Sequence, residues 1–119
     1  MSDDEAKAFA KAWIEAWNAH DMERILAHYA DDVTFSSPRA ELIVGEGRLV
    51  GKAPLEAYWR KALGRQPELR FELDEVRVGY RCLTILYRNH RQQRAAETFE
   101  FDEDGQVTRS CACYAPLGD

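Results

Sequence analysis

An α+β fold, with three helices in the first half of the chain and a curved antiparallel sheet in the second, is predicted by three features of the sequence. Apolar residues recur at helical spacing through the first thirty positions, beginning behind a Ser2/Glu5 capping-box pair. From Glu68 onward the apolar period falls from 3.6 to 2. Finally, Asp104-Gly105 is a hairpin signal between two stretches that alternate in this way.

The first helix is predicted over residues 3–18, with Ala6, Phe9, Ala10, Trp13, Ile14 and Trp17 on its apolar face. Asp21 can cap a second helix that lines up Met22, Ile25, Leu26 and Tyr29 and ends near Ala30. Val33 to Ser37 favours a strand and is stopped by Pro38. Residues 39–52 carry three glycines and read as a loop with at most a short strand over 48–50. Pro54 opens a third helix through Leu55, Tyr58, Trp59, Ala62 and Leu63, closed by Gly64. Leu69, Phe71 and Leu73 alternate, then Val76 and Val78 after a phase slip at Asp74-Glu75 that predicts a bulge. Strands over residues 82–90 and 94–101 are joined by a short turn at Gln92-Gln93, and a last strand covers 107–114.

At 119 residues, 45% of them hydrophobic, the chain suits a single domain over 1–119 with one core. Its net charge of −5, with basic residues scattered among acids, supplies no positive field for a phosphate backbone, so nucleic acid is not an expected partner. No apolar run approaches a membrane span, and Ser2-Asp3-Asp4-Glu5 is unlike a secretory leader, so a cytoplasmic protein is expected. The odd cysteine count fits a reducing compartment, and the three cysteines read as small buried hydrophobes. A zinc site at Cys111 and Cys113 would need further ligands, for which only His90 is an obvious candidate; no metal or cofactor is expected.

Counting outward from Gln92-Gln93 pairs His90 with Ala95, Arg88 with Glu97 and Leu86 with Phe99. On that register Arg88, His90, Glu97 and Phe99 share one sheet face, and Leu83, Ile85 and Tyr87 share the other. The pattern alone does not say which face is enclosed.

The run from Ala16 to Phe35, containing Asn18-Ala19-His20-Asp21 and Tyr29-Ala30-Asp31-Asp32-Val33, together with Asp104-Gly105-Gln106-Val107, resembles the SnoaL-like and nuclear transport factor 2-like superfamily. The resemblance covers nearly the whole chain. It implies a cone in which a curved antiparallel or mixed sheet and the helices enclose one deep pocket, and it selects the Glu97 face as the inner one. In the steroid isomerases of that superfamily a first-helix tyrosine and a strand acid stabilise an oxyanion, while an aspartate after the first strand removes a proton. The match places Trp13 at the tyrosine, Ser37 at the base and Glu97 at the buried acid, so only the acid is kept and isomerase chemistry is not implied. It also turns Tyr58, Ser110, Ala112 and Tyr114 inward and sets Trp59 near Trp13.

The expected pocket therefore has aromatic walls from Trp13, Trp17, Phe35, Tyr58, Trp59, Phe71, Phe99 and Tyr114, with Ser37 and Ser110 inside and Arg88, Glu97 and His90 at one end. As an enzyme acting on a small hydrophobic substrate, it would use Glu97 as general acid/base, Arg88 to orient it and His90 as a second proton carrier, as the superfamily's polyketide cyclases and limonene-type epoxide hydrolases use strand acids. As a non-catalytic module, it would hold a small hydrophobic acid or amide through Arg88. Leu83, Ile85 and Tyr87, placed outside, would in either case support a homodimer.

Overall fold

Ser2 starts the first helix as its spacing predicts. In the computed structural model, which describes residues 1–116, Ser2 Oγ accepts from the Glu5 N–H at 3.1 Å and Glu5 Oε1 accepts from the Ser2 N–H at 2.8 Å. Helix α1 (Asp3–Asn18) buries Ala6, Ala10, Trp13, Ile14 and Trp17. Asp21 caps α2 (Met22–Leu26), which is shorter than expected. Tyr29 leaves the helical stripe to begin strand β1 (Tyr29–Ser36), where it pairs with Val107. Tertiary pairing decides a residue that fits either period.

The segment expected to be a loop contains a third helix, α3 (Pro38–Val44), ahead of β2 (Arg48–Val50). Ser37 Oγ accepts from the Arg39 N–H at 3.1 Å, Pro38 occupies the first turn, and Gly45 ends the helix at φ 80°. Only Ala40 of this helix is buried and Leu42 is open to solvent, so no apolar stripe announces it. Helix α4 (Lys52–Arg65) follows, with Pro54 in its first turn and Gly64 inside it rather than at its end. Among the described residues there are thus four helices, not three.

Strands β3 (Glu72–Gly79), β4 (Cys82–Arg88), β5 (Arg94–Phe101) and β6 (Val107–Ala115) complete a curved, unclosed sheet in the order β2-β1-β6-β5-β4-β3. Pairing is antiparallel except between β1 and β6. The bulge expected at Asp74-Glu75 is present, between the Leu73–Tyr87 and Glu75–Leu86 pairs. No helix among the described residues is long and apolar enough to cross a membrane.

The β4–β5 register corrects the expected one. The turn is not Gln92-Gln93 but a loop over residues 89–93, in which Asn89 Oδ1 accepts from the N–H groups of Arg91 (2.9 Å) and Gln93 (3.0 Å). Glu97 consequently lies opposite Ile85, Ala95 opposite Tyr87, and Arg94 opposite Arg88. An odd shift of register exchanges the two faces of a strand. Leu83, Ile85 and Tyr87 therefore share the inner face with Glu97 and Phe99 and are buried, so they offer no outer surface to a second subunit. Thr84, Leu86 and Arg88 face outward with Ala96 and Thr98, as do Cys111 and Cys113, which are exposed rather than buried.

Candidate functional site

Successive rows of the inner sheet face build the site from its floor. Ser110, Phe99 and Leu83 form the deepest row, Ala112, Glu97 and Ile85 the next, and Tyr114, Ala95 and Tyr87 the row above. The cavity lies over the upper two rows, lined there by Glu97, Ala95, Tyr87 and Tyr114. Ala95 and Ala112 bring only methyl groups to these rows, and so leave space beside Glu97. Helix α1 adds Trp13 and Trp17, β1 adds Phe35, and α4 adds Tyr58, Trp59 and Ala62. Half-exposed Arg39, Gln66, Leu69, Phe71 and Gln93 make the rim. About 60 Å³ is open to the centre of a water molecule, room for a few waters or a small organic group.

The aromatic lining is held by contacts among its own rings. Trp13 stacks on Phe71 at 5.7 Å and 15°, and meets Tyr87 edge-on at 5.4 Å. Trp59 packs edge-on against Trp17 at 5.2 Å, and Trp17 in turn lies 6.1 Å from Trp13. Buried Trp13 donates from Nε1 to the Tyr29 hydroxyl at 3.0 Å, which closes this part of the floor. The Phe71 wall is pinned from α1: Asn18 Nδ2 donates to the Phe71 carbonyl at 2.9 Å and Asn18 Oδ1 accepts from the Phe71 N–H at 2.6 Å. His20 adds a contact from Nε2 to the Leu69 carbonyl at 2.8 Å.

Glu97 is 4% exposed, and the Tyr87 hydroxyl donates to its Oε1 at 3.0 Å. Burial disfavours the carboxylate and raises its pKa from 4.5 to about 7, although the hydrogen bond from Tyr87 opposes the shift. The surrounding phenols move away from neutrality. Burial pushes Tyr58 up to about 12, and holds Tyr29, Tyr87 and Tyr114 well above their ordinary range, with the nearby Glu97 charge adding to each. Near neutral pH, Glu97 can exchange a proton and these tyrosines can only donate or accept hydrogen bonds.

Arg88 and His90 are not beside Glu97. Arg88 lies on the outer face, where Nη2 contacts Asp74 at 2.9 Å and Glu72 at 3.3 Å and Nη1 donates to Gln92 Oε1 at 2.7 Å. His90 sits on the β4–β5 loop, 3.3 Å from Glu68, outside the cavity lining. Phe99 and Ser110 face inward but belong to the row beneath the cavity. Ser37 is buried but outside the cavity lining, with Oγ engaged by the Arg39 N–H. Trp13, Trp17, Phe35, Tyr58, Trp59, Phe71, Glu97 and Tyr114 do meet around one space. Sequence reasoning missed Arg39, Tyr87, Asn89 and Gln93. A Ser37-Pro38 helix start would have revealed the first, and the correct register the other three.

The SnoaL-like domain model matches residues 10–110 of the chain. A SnoaL-like protein of unknown function from Burkholderia thailandensis E264 is 43% identical and superposes with a TM-score of 0.91, covering 95% of this chain and 96% of that one. AclR, a candidate hydroxylase from Streptomyces galilaeus, shares the fold at 18% identity and a TM-score of 0.76, over 95% and 90% of the two chains. An NTF2-like protein of unknown function from Burkholderia pseudomallei K96243 does so at 18% identity and 0.76, over 96% and 92%. No curated protein matches the sequence.

Proposed function

The chain belongs to the SnoaL-like family, and from that premise we propose that its cavity holds a small, mostly apolar molecule with which Glu97 exchanges a proton. The observation that carries this reading is a carboxyl buried in the floor of an aromatic cavity, paired with a neutral phenol and raised to about 7. Such a group is half-ionised at neutrality, where proton transfer in either direction is efficient. Without a second group titrating in that range among the lining tyrosines, the chemistry it supports is a single-carboxyl shuttle. Glu97 takes a proton from one atom of the bound molecule and returns it to another, while Tyr87 steadies the carboxylate. The three tryptophans and Phe71 exclude water and orient the apolar body.

Cyclohexanone is a suitable probe, because removal of its α-proton is read directly by NMR as exchange with D₂O. The protein should accelerate exchange over buffer with a dependence on ionised Glu97, and Glu97→Gln should bring the rate back to that of buffer. Equal rates with the two proteins, both binding the ketone by tryptophan fluorescence, would remove Glu97 as a proton carrier. The structure then supports a second reading, a binding pocket without turnover, favoured by the same lack of a partner acid.

A further inference from the structure

We propose that Arg39 sets the ligand class of the cavity, by pairing at its rim with the carboxylate of a small cyclic or aromatic acid whose apolar ring lies against the tryptophans. The inference rests on the reading of the cavity as a ligand site and adds what that ligand must carry.

Arg39 enters the cavity from α3, whose start is fixed by Ser37 and Pro38. Its guanidinium lies over the Tyr114 ring, with Cζ 4.7 Å from the ring centroid, a cation–π contact that helps to position the fork. Nη2 donates to Gln93 Oε1. Gln93 is itself oriented by Asn89 Nδ2, at 3.3 Å to the same oxygen, and by its own Nε2, which donates to the Pro116 carbonyl at 2.6 Å. A relay of neutral groups thus aims the cation without discharging it. Arg39 Nε is buried and has no acceptor among the described residues.

Arg60, Arg77, Arg88 and Arg91 each meet a carboxylate, and the other arginines that do not are exposed to solvent, whereas Arg39 is half-buried. No acid comes within 4.0 Å of Arg39 among the described residues, although the chain has 21 Asp and Glu against 16 Lys and Arg. A half-buried fork that lines an aromatic space and has no internal anion among the described residues is complementary to an external planar anion. The limited free volume favours a carboxylate on one ring over a larger phosphate ester. Glu97 lines the same cavity, so an acid held by Arg39 leaves the rest of the molecule against Trp13, Trp17 and Glu97.

Benzoate and benzamide, equal in shape and different in charge, test this by tryptophan-fluorescence titration at pH 6, where Glu97 is largely protonated. The wild-type protein should bind benzoate roughly tenfold or more tightly than benzamide, the scale of a charge-assisted hydrogen bond. Arg39→Met should abolish that preference, with benzoate losing far more affinity than benzamide, and Arg39→Lys should keep part of it. The Lys variant also guards against loss of folding in the Met variant, checked for both by circular dichroism. Equal affinity of the wild-type protein for the two probes, or an unchanged preference in folded Arg39→Met, would overturn the role of Arg39 while leaving the cavity a ligand site. Failure of both probes to bind while cyclohexanone binds would likewise overturn it, and failure of all three would overturn the cavity reading as well.

Discussion

Glu97→Gln removes a charge from the cavity floor while keeping the shape of the side chain and an oxygen to accept from Tyr87. In the folded protein the carboxyl titrates at about 7, against 4.5 for an unburied glutamate, a difference that corresponds to about 3 kcal/mol. Between those two pH values the unfolded chain has lost a proton that the folded chain still holds. Wild-type stability therefore falls as pH rises through that window, and the deficit is complete once the folded carboxyl has ionised. Glutamine has nothing to ionise. The variant should match the wild type near pH 4 and exceed it by about 3 kcal/mol at pH 8 to 9. For 119 residues this is a difference in Tm of about 12 °C. His28, whose pKa is lowered by burial, adds an opposite slope as pH falls through its ordinary range, but it is present in both proteins and cancels in their difference. Thermal melts of the two proteins at about six pH values from about 4 to 9 provide the comparison. Curves that run parallel across the whole range would refute a carboxyl whose burial raises its pKa.

Tyr87→Phe removes the hydrogen bond that favours ionised Glu97, so the carboxyl should titrate above about 7, read by repeating the same melts. Tyr29→Phe leaves the Trp13 indole N–H without its acceptor in the core and should cost about 1 to 3 kcal/mol in urea denaturation. Asn18→Ala releases both backbone groups of Phe71 and should loosen the cavity wall, seen as faster amide exchange at Phe71 and weaker ligand binding with α1 intact. Arg88→Met, on the outer face, should leave ligand binding unchanged in a fluorescence titration.

Much of the fold was legible because its signals are local. The capping box, the apolar stripe of α1, the Asp104-Gly105 turn and the phase slip at Asp74-Glu75 each fix their own few residues. Two things were not. Helix α3 buries a single alanine and so lacks the periodicity that reveals a helix, although Ser37, Pro38 and Gly45 mark its ends. The β4–β5 register depends on Asn89 folding the loop back onto its own side chain, and counting from the wrong turn exchanged the faces. Glu97 was expected on the inner face through family resemblance, and it lies there; Arg88 was tied to it by the mistaken register alone. The outer position given to Leu83, Ile85 and Tyr87 fell with the same error.

The proposed function turns on Glu97 titrating near neutrality in a cavity open to a ligand. Carbon-13 NMR of the protein labelled at glutamate side-chain carboxyls measures this directly, with the Glu97 resonance identified by its absence from Glu97→Gln. A midpoint at about 7 is expected, displaced when benzamide occupies the cavity. A midpoint near 4.5, or one that does not move although fluorescence shows the probe bound, would contradict it.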